Sequence, residues 1–378
     1  MLFWLLDWIE SVYGPPGFGA FSFITVRAAL AAGTALIISL LFGGKIINML
    51  RRMQLGETIR DDVGLDHHKV KAGTPSMGGL IIIFAIVLPA LLWMRPDNPY
   101  TWLIIFVVLS LGLVGFIDDY IKIIKKNKDG LMGRFKLVGQ ITVGIILGLF
   151  LYFYPDFSDY NTLSTVPFVK DVNINYAFLG ESLGWLIYIP VVVFIITGVS
   201  NAVNLTDGLD GLAAGTTAVA GMALGVLAYV SGRVDYSSYL DLIFLPGTGE
   251  LAIFSAALVG ACFGFLWYNT YPAQVFMGDT GSLALGGAIG ALALMVHKEL
   301  LLPVLCGIFL METLSVIIQT TWFRYTKKKY GEGRRVFLMA PIHHHFEKKG
   351  WAEPKIVVRF WIIAVMLAVI TILTLKIR

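Results

Sequence analysis

Apolar runs long enough to cross a lipid bilayer recur along the whole chain and strongly limit the folds open to it. Of the 378 residues, 57% are hydrophobic and 14% are charged, a balance that soluble domains of this length do not show. A helix needs about 20 apolar residues to cross the hydrocarbon core. The runs are continuous rather than alternating, so they predict helices and not the strands of a barrel. We therefore predict an all-α polytopic membrane protein.

Ten such runs are present, and each predicts one transmembrane helix. The predicted spans are 23–43, 78–94, 102–117, 137–154, 184–199, 211–230, 250–268, 281–296, 300–320 and 357–376. Because no linker divides them, we expect the whole chain, 1–378, to form a single integral membrane domain.

Two segments outside the spans have patterns of their own. Residues 1–14 contain Trp4 and Trp8 but no basic start, which predicts a short interfacial helix rather than a cleaved signal peptide. Segment 155–183 has the β-branched and polar mix of a small hairpin. Its predicted strands run from Val166 to Val172 and from Val172 to Phe178.

Basic residues in the connecting segments predict the orientation. Segments 44–77, 118–136 and 322–356 hold 6, 6 and 9 Lys and Arg residues, whereas the termini and the opposite loops together hold 6. Basic loops face the cytosol, so both termini are predicted on the periplasmic side, as is the hairpin. The predicted cytosolic loops are 44–77, 118–136, 200–210, 269–280 and 322–356. These loops account for the formal charge of +4, which therefore indicates no nucleic acid partner.

Asp118 and Asp119 follow an apolar run and lie at the predicted cytosolic end of a helix, where the helix dipole disfavours negative charge. Lys122 lies one turn further on, so an ordinary solvated helix end with ion pairs explains the pair as well as function does. Neighbouring side chains on a helix diverge by about 100°. We therefore expect at most one of the two carboxylates to contact a given metal or substrate atom.

The loop after the fifth span carries no basic residue, although three of the other predicted cytosolic loops are strongly basic. The spacing of Asn204, Asp207 and Asp210 places them along one helical face, and Gly208 would let backbone approach a ligand. A helix N-cap would explain one of these aspartates but not all three polar groups.

A second acidic loop, Asn269 to Ser282, ends in Gly278-Asp279 immediately before an apolar helix. Such a tip is typical of an anion or metal site at a helix N-terminus, although capping alone also explains Asp279. A fourth acidic group, Glu312, lies just inside the predicted bilayer before the most basic loop. All four acidic clusters are predicted on the same membrane face.

The last predicted cytosolic loop contains His343, His344 and His345. Three consecutive histidines cannot all face one metal from a helix, which argues against a tri-His zinc site. Imidazoles that donate to phosphate fit better, and the lysines of this loop are typical of lipid headgroup binding. Segment Lys69 to Gly79 adds Lys71 and Ser76, for which an ordinary Ser or Thr cap is the alternative.

Carboxylates, amides, histidines and lysines on one membrane face are the groups that a divalent cation with phosphates requires. Mg²⁺ suits such a site because it takes few carboxylates and completes its shell with phosphate oxygens and water. A site at the bilayer surface is useful where one reactant is anchored in lipid and the other is soluble. The residues therefore predict phosphate chemistry at a lipid–water boundary.

Five motifs resemble those of the phospho-N-acetylmuramoyl-pentapeptide transferase family, within the polyprenyl-phosphate sugar-1-phosphate transferase superfamily. They are Gly73–Gly79, Gly115–Tyr120, Asn204–Gly211, Asn269–Ser282 and Pro341–Glu347. The resemblance covers essentially the whole chain, and the histidine run matches this branch rather than the N-acetylglucosamine branch. Ser76 stands where the family pattern has Thr, but it keeps the hydroxyl.

This resemblance implies Mg²⁺-dependent transfer of phospho-MurNAc-pentapeptide from UDP-MurNAc-pentapeptide to undecaprenyl phosphate, which gives lipid I and UMP for peptidoglycan synthesis in the bacterial inner membrane. It also implies ten transmembrane helices, a homodimer and sensitivity to nucleoside antibiotics.

Roles for individual residues come from the same resemblance. Metal binding is implied for Asp279, with Asp118 near the metal or the reacting lipid phosphate, and Asp119 and His343 to His345 join them as catalytic candidates. The candidates for substrate binding are Lys71, Ser76, Lys122, Asn204, Asp207, Gly208, Leu209, Asp210, Asn269, Phe276, Gly278 and Gln319. Direct attack by the lipid phosphate and a covalent intermediate on Asp118 both remain open.

Two other functions compete with this one. A related enzyme would transfer N-acetylglucosamine 1-phosphate to a polyprenyl phosphate. A transporter would also carry acidic groups in a helix bundle, but transporters bind substrate near the bilayer midplane in broken helices. The acidic motifs here lie at the predicted cytosolic edge, which favours an enzyme.

Overall fold

The computed structural model describes residues 2–53, 73–123, 125, 130–157, 160, 162–169, 172–178, 180 and 182–377. The candidate Lys71 lies outside these residues. The helices are α1 Leu2–Tyr13, α2 Ile24–Arg52, α3 Gly79–Trp93, α4 Pro99–Ile123, α5 Gly133–Phe153, α6 Trp185–Thr206, α7 Leu212–Ser231, α8 Val234–Tyr239, α9 Gly249–Asn269, α10 Gly278–Met295, α11 Leu302–Leu305, α12 Gly307–Tyr330, α13 Ile342–Lys348 and α14 Glu353–Ile377. Short 3-10 helices cover Phe18–Ser22, Pro155–Phe157 and Glu299–Leu301.

Every predicted apolar span coincides with helix in the structure. Eight helices of the described chain are individually long and apolar enough to cross a membrane, and the bent pair formed by 299–305 and α12 makes up to nine. Helix α3 is apolar but has 15 residues. The chain is thus a helical, multi-pass membrane protein, while ten crossings and the side of the termini stay predictions.

The prediction of one continuous helix over 300–320 is wrong. The segments on either side of Cys306 are bent by 79° relative to each other. Pro303 lies in the first turn of α11, a position that needs no backbone N–H donor. Gly307 begins α12, and a Cβ there would lie 2.7 Å from Leu367 Cδ1 of α14. The missing side chain therefore lets α14 pack against the bend.

Helix α10 forms the centre of the bundle, because all its residues from Thr280 to Met295 are buried. Small residues on this helix allow its neighbours to approach closely. A Cβ on Gly286 would lie 2.6 Å from Ser200 Cα of α6, and one on Gly287 would lie 2.1 Å from Leu111 Cδ1 of α4. The start of α10, which carries Asp279, is therefore fixed between α4 and α6.

A buried ion pair joins α2 to α9 near the start of α4, at the opposite end of that helix from Asp118. Arg27 of α2 donates to both carboxylate oxygens of Glu250 of α9, at 2.9 and 2.8 Å. The backbone N–H of Arg95 donates to the same carboxylate at 2.8 Å. The Phe3 ring of α1 lies 4.5 Å from the Arg27 guanidinium. The predicted N-terminal helix is confirmed, and its interfacial position stays a prediction.

The predicted hairpin is present, with strands at other positions. Strand β1, Leu163–Thr165, pairs antiparallel with β2, Asn173–Asn175. The described residues of the predicted first strand, 166–169 and 172, instead lie in the connection, where Pro167 cannot donate to a strand ladder and Phe168 has a φ of 63°. Thr165 Oγ1 donates to His297 O at 3.0 Å, so the hairpin is attached just beyond the end of α10. Burial there lowers the pKa of His297 to about 4.

Candidate active site

Three carboxylates converge where the end of α4 meets the start of α10. Asp118, Asp119 and Asp279 each offer one oxygen, and these oxygens all lie within 4.8 Å of one another. The two helices meet closely because Gly115 has no side chain: a Cβ there would lie 2.1 Å from Asp279 O. The structure thus brings together two motifs that are far apart in the sequence.

Two lysines contact this carboxylate cluster. Lys122 Nζ lies 2.5 Å from Asp118 Oδ2 and 3.1 Å from Asp279 Oδ2. Lys136, in the first turn of α5, lies 3.1 Å from Asp118 Oδ2 and also pairs with Asp279 Oδ2. Both ammonium groups therefore reach the same two oxygens. This is the arrangement that holds buried carboxylates together despite their mutual repulsion.

The Asp119 carboxylate accepts hydrogen bonds from the first residues of α10. Its Oδ1 accepts from the backbone N–H of Asp279 at 3.1 Å. Its Oδ2 accepts from Thr280 N at 2.9 Å and from Thr280 Oγ1 at 2.6 Å. The helix N-terminus is therefore capped by a carboxylate from another helix, whereas α10 has no side-chain cap of its own. Capping by Asp279, the alternative considered from sequence, is wrong.

Both aspartates of α4 contribute to the cluster, despite the divergence expected of neighbouring side chains. Asp118 points towards the lysines and accepts from Leu131 N at 2.8 Å. Asp119 points towards the backbone of α10. That at most one of the two contacts a given metal or substrate atom stays a prediction, and both Asp119 oxygens already accept hydrogen bonds from α10.

Asn204, in the last turn of α6, completes the surroundings of Asp279. Its amide Nδ2 donates to Asp279 Oδ1 at 2.7 Å and to Ser282 Oγ at 2.8 Å. Asp279 Oδ1 therefore accepts from the Asn204 amide, and Oδ2 pairs with the ammonium groups of Lys122 and Lys136. This fixes the carboxylate from both sides.

The donor set fits a divalent cation. Hard oxygen ligands suit Mg²⁺, which needs one or two protein carboxylates and takes the rest of its shell from phosphate and water. Asp118 Oδ2 and Asp279 Oδ2 face each other across the lysine ammonium groups. Within the described residues, the three aspartates are the group of acidic and histidine side chains that could hold a metal ion.

Asp207 and Asp210 do not continue a helical face with Asn204, so this prediction is wrong. Helix α6 ends at Thr206, and Asp207 is its C-cap. The chain then turns, with Gly211 at a φ of 81°, before α7 begins. In this turn Asp210 is buried, and its Oδ2 accepts from Ala273 N at 3.0 Å. The turn therefore holds the 269–278 loop in place.

Asn269 makes a second link between these loops. Its Oδ1 accepts from Gly211 N at 3.0 Å, and its Nδ2 donates to Val275 O at 2.9 Å. The side chain is buried, so it orders the loops around it.

Residues 75–79 lie along residues 276–278. Phe276 N donates to Pro75 O at 2.9 Å, and Gly78 N donates to Phe276 O at 2.8 Å. Ser76 is buried beside Gly278, where a Cβ would lie 3.0 Å from Ser76 Oγ. The start of α3 carries no side-chain cap, so a capping role for Ser76 is wrong. Its loop instead supports the tip that carries Asp279.

The three histidines lie on α13 and have three different surroundings. His343 is buried and pairs with Glu312 of α12, with 3.1 Å between Nδ1 and Oε2. His344 Nδ1 lies 2.5 Å from Glu347 Oε2. His345 Nδ1 accepts from Leu338 N at 3.1 Å. The three Nδ1 atoms thus have three different partners, although the His343 and His344 rings lie 4.1 Å apart.

Partial burial lowers the pKa of His344, although Glu347 opposes this shift. Desolvation together with Lys349 lowers the pKa of His345.

Gln319 of α12 holds the loop that precedes α13, because its Oε1 accepts from Val336 N and Phe337 N at 3.0 and 2.9 Å. The side chain of this candidate therefore orders the segment that leads into the histidine run.

An apolar groove lies beside the bend between α11 and α12. Its volume is about 370 Å³, and it ends at Ile342, next to the histidine run. The lining residues are Pro303, Gly307, Leu310, Met311, Leu314, Ser315, Ile318, Phe337 and Ile342. A groove of this character suits a hydrocarbon chain rather than a polar ligand.

Comparison with known proteins identifies the family. Residues 101–297 match the family model described as glycosyl transferase family 4, and residues 71–83 match signature 1 of phospho-N-acetylmuramoyl-pentapeptide-transferase. The chain belongs to the phospho-N-acetylmuramoyl-pentapeptide transferase family. It is 54% identical to the member from Salinibacter ruber, 51% to that from Flavobacterium johnsoniae and 52% to that from Chlorobium phaeobacteroides. Each alignment covers 100% of both chains, so the resemblance inferred from the motifs is confirmed.

Sequence reasoning missed several residues of this transferase site. Lys136 is a basic residue at the edge of an apolar run, a pattern that predicts only the orientation of the chain. Thr280 and Ser282 lie within or next to the Gly278-Asp279 motif, but the motif predicts no role for them. Glu353 accepts from Asp210 N at 2.7 Å, and no pattern in the sequence connected these two residues.

Proposed function

We propose that this chain transfers phospho-MurNAc-pentapeptide from UDP-MurNAc-pentapeptide to undecaprenyl phosphate in the bacterial inner membrane, giving lipid I and UMP. The observation that carries the proposal is the cluster of Asp118, Asp279, Lys122 and Lys136 at the end of two apolar helices. Membership of the transferase family supports it. A cluster at the ends of membrane helices suits a lipid phosphate that meets a soluble sugar nucleotide there. The active site is proposed to face the cytosol.

Asp118 and Asp279 are the residues proposed to hold Mg²⁺. When bound, the cation would neutralise charge on the donor diphosphate and make UMP a better leaving group. Asn204 keeps the Asp279 carboxylate in one orientation through its hydrogen bond to Oδ1. Asp119 keeps the backbone of Asp279 in place.

Lys122 and Lys136 are proposed to bind phosphate oxygens of the two substrates. Their ammonium groups already lie beside Asp118 and Asp279, and the Lys122 side chain is 37% exposed, so it can reach a ligand outside the cluster. Phosphoryl transfer depends mainly on alignment and on neutralisation of negative charge. Cationic side chains at this point supply both.

The lipid phosphate needs little help from a base. Its second pKa is about 6, so it is mostly dianionic at neutral pH. We propose direct attack: an oxygen of the lipid phosphate bonds to the phosphorus that carries the sugar, the bond from that phosphorus to the bridging oxygen breaks, and its electron pair leaves with UMP. Asp118 then positions the reactants and is not a nucleophile.

Labelled UMP distinguishes this mechanism from a covalent intermediate on Asp118. The enzyme is incubated with UDP-MurNAc-pentapeptide and labelled UMP, without any lipid acceptor. Direct attack gives no label in the UDP-substrate. Exchange under these conditions would establish the covalent intermediate instead.

Other elements are assigned to the rest of the substrates. The linked loops 204–211 and 269–278 are proposed to bind the nucleoside, and the histidine run to bind neighbouring polar groups. The apolar groove beside the bend fits the acceptor hydrocarbon chain. A homodimer and sensitivity to nucleoside antibiotics belong to the same proposal.

Purified enzyme with undecaprenyl phosphate and Mg²⁺ tests the function. We expect release of UMP and formation of lipid I from UDP-MurNAc-pentapeptide, and no product from UDP-N-acetylglucosamine. The Asp279→Asn variant serves as the inactive control. Turnover of UDP-N-acetylglucosamine alone would assign the chain to the other branch of the superfamily.

A further inference from the structure

Glu312 of α12 and His343 of α13 form a buried pair behind the histidine run. The Glu312 side chain is 0% exposed and that of His343 is 1% exposed. His343 Nδ1 lies 3.1 Å from Glu312 Oε2, and the backbone N–H of His343 points to the same oxygen at 3.5 Å. His343 therefore faces into the protein, unlike His344 and His345, which are partly exposed.

The other edge of the His343 ring lies against the turn between α6 and α7. A Cβ placed on Gly208 would lie 2.2 Å from His343 Nε2, so only glycine leaves room for the ring. Next to this contact, Leu209 of the turn belongs to an apolar cluster that includes Ile342 and Phe346 of α13. His343 thus fills the space between Glu312 and the Asp207–Gly211 turn.

We infer that Glu312 is a positioning residue, which acts through His343 to set the distance between the histidine run and the Asp207–Gly211 turn. A buried carboxylate is stable only with a hydrogen-bonded partner. Glu312 Oε2 lies 3.1 Å from Nδ1 on one edge of the ring, and Gly208 lies against the other edge, so the imidazole has little room to turn. Glu312 thereby fixes the ring, and the ring fixes both segments.

This inference deepens the proposed function and rests on it for the identity of the substrate. The histidine run and the turn are the segments assigned to the uridine nucleotide and its neighbouring groups. The acceptor phosphate is assigned to the separate cluster around Asp118. Loss of Glu312 should therefore weaken use of the nucleotide donor more than use of the lipid acceptor, whose proposed groove shares only Ile342 with α13.

Steady-state kinetics of four variants test the role. Glu312→Ala removes the carboxylate, and we expect KM for UDP-MurNAc-pentapeptide to rise about tenfold and KM for undecaprenyl phosphate to rise by no more than about threefold. Glu312→Gln keeps a polar side chain of the same size beside Nδ1, so it should recover most of the lost affinity. Thr320→Val, on an exposed position of α12, is the matched control. Glu312→Ala combined with His343→Ala should be no worse than the poorer single variant, because both remove one contact.

Equal effects on the two KM values, or no recovery by Glu312→Gln, would overturn the inference. So would losses that multiply in the double variant. These outcomes would show that Glu312 supports the fold in general or that His343 acts independently of it.

Trypsin cleavage gives a readout that does not depend on activity. Lys348 and Lys349 lie at the end of α13, and faster cleavage there is expected in Glu312→Ala than in the wild type and Glu312→Gln. An unchanged cleavage rate would contradict the positioning role. If the wild type fails to use UDP-MurNAc-pentapeptide, the proposed function is wrong, and the cleavage comparison still tests the contact between α12 and α13.

Discussion

Asp119 Oδ2 accepts hydrogen bonds from both the backbone N–H and the side-chain hydroxyl of Thr280, at 2.9 and 2.6 Å. With the bond from Asp279 N to Oδ1, this carboxylate of α4 is the N-terminal cap of α10. The cap holds the residue before Thr280, the proposed metal ligand Asp279. Asp119 is therefore expected to affect the reaction by holding the backbone of Asp279 in place.

The cap can be tested through Thr280. Thr280→Val removes one hydrogen bond to a carboxylate, which is worth about 1.5–3 kcal/mol, so activity is expected to fall by about tenfold or more. Thr280→Ser keeps the hydroxyl, so its activity should stay close to that of the wild type.

Mn²⁺ affinity, measured by electron paramagnetic resonance, should change little in Asp119→Asn and fall strongly in Asp279→Asn. Equal losses of Mn²⁺ binding would make Asp119 a ligand.

Lys136 is expected to be essential although it lies outside the five motifs. Lys136→Met removes one of the two ammonium groups between Asp118 and Asp279, and turnover should fall by about 100-fold, the order found when one charge-stabilising group is lost. Lys125→Met, an exposed position, is the matched control. UMP release is the measurement, and near-normal activity of Lys136→Met would remove this lysine from the site.

Gly278 is expected to tolerate no side chain, because a Cβ there would contact Asp119 in addition to straining the backbone. Its φ is 72°, and a Cβ would lie 2.7 Å from Asp119 Oδ2. Gly331 has a φ of 79° but no atom within 4 Å of an added Cβ. Both Gly→Ala variants carry a backbone cost of about 1–2 kcal/mol, but only Gly278→Ala should reduce turnover by tenfold or more. Equal activity of the two variants would show that the Asp119 contact is unimportant.

The hairpin attachment predicts a pH dependence of stability. Burial lowers the pKa of His297 to about 4, so between about pH 6.5 and 4 the unfolded chain binds the proton and the folded chain does not. The contribution of His297 therefore falls as the pH falls through this window, and it is constant above it. Thermal unfolding in detergent at pH 7.5 and 5 should show a smaller loss on acidification for His297→Gln than for the wild type. An equal loss would assign the dependence to other groups.

Removal of divalent cations should abolish turnover reversibly. After chelation, the lysines beside Asp118 and Asp279 are the cationic groups left at these carboxylates, and the donor diphosphate then lacks the charge neutralisation that phosphoryl transfer requires. Added Mg²⁺ should restore the rate, while Asp118→Asn should need much more Mg²⁺. Full activity after exhaustive chelation would contradict the proposed metal site.

The sequence predicted the helices well because a membrane helix is a local structure. Each apolar run satisfies its own backbone hydrogen bonds and has to cross the bilayer, so every predicted span coincides with helix. The bend at Cys306 was not visible, since the apolar run continues through it. The hairpin was found, but the position of Pro167 shifted its strands.

The candidate residues were also recognisable, because motif types and the resemblance to a transferase family are properties of the sequence. Their roles were not. Asp119 and Asp118 look alike in sequence, but one caps α10 and the other pairs with lysines. Similarly, His343 is buried against Glu312 and Gly208, while its two neighbours are partly exposed.

The sequence alone thus determined a helical membrane protein, its family and the residue types of a phosphate site. Only the tertiary structure decided that Lys136 joins the acidic cluster, that Asp210 ties two loops together and that Glu312 faces His343. The physical reason is distance along the chain. Apolar length and helix geometry are set by neighbouring residues, whereas each of these contacts joins segments that only the packing of helices brings within reach of a hydrogen bond.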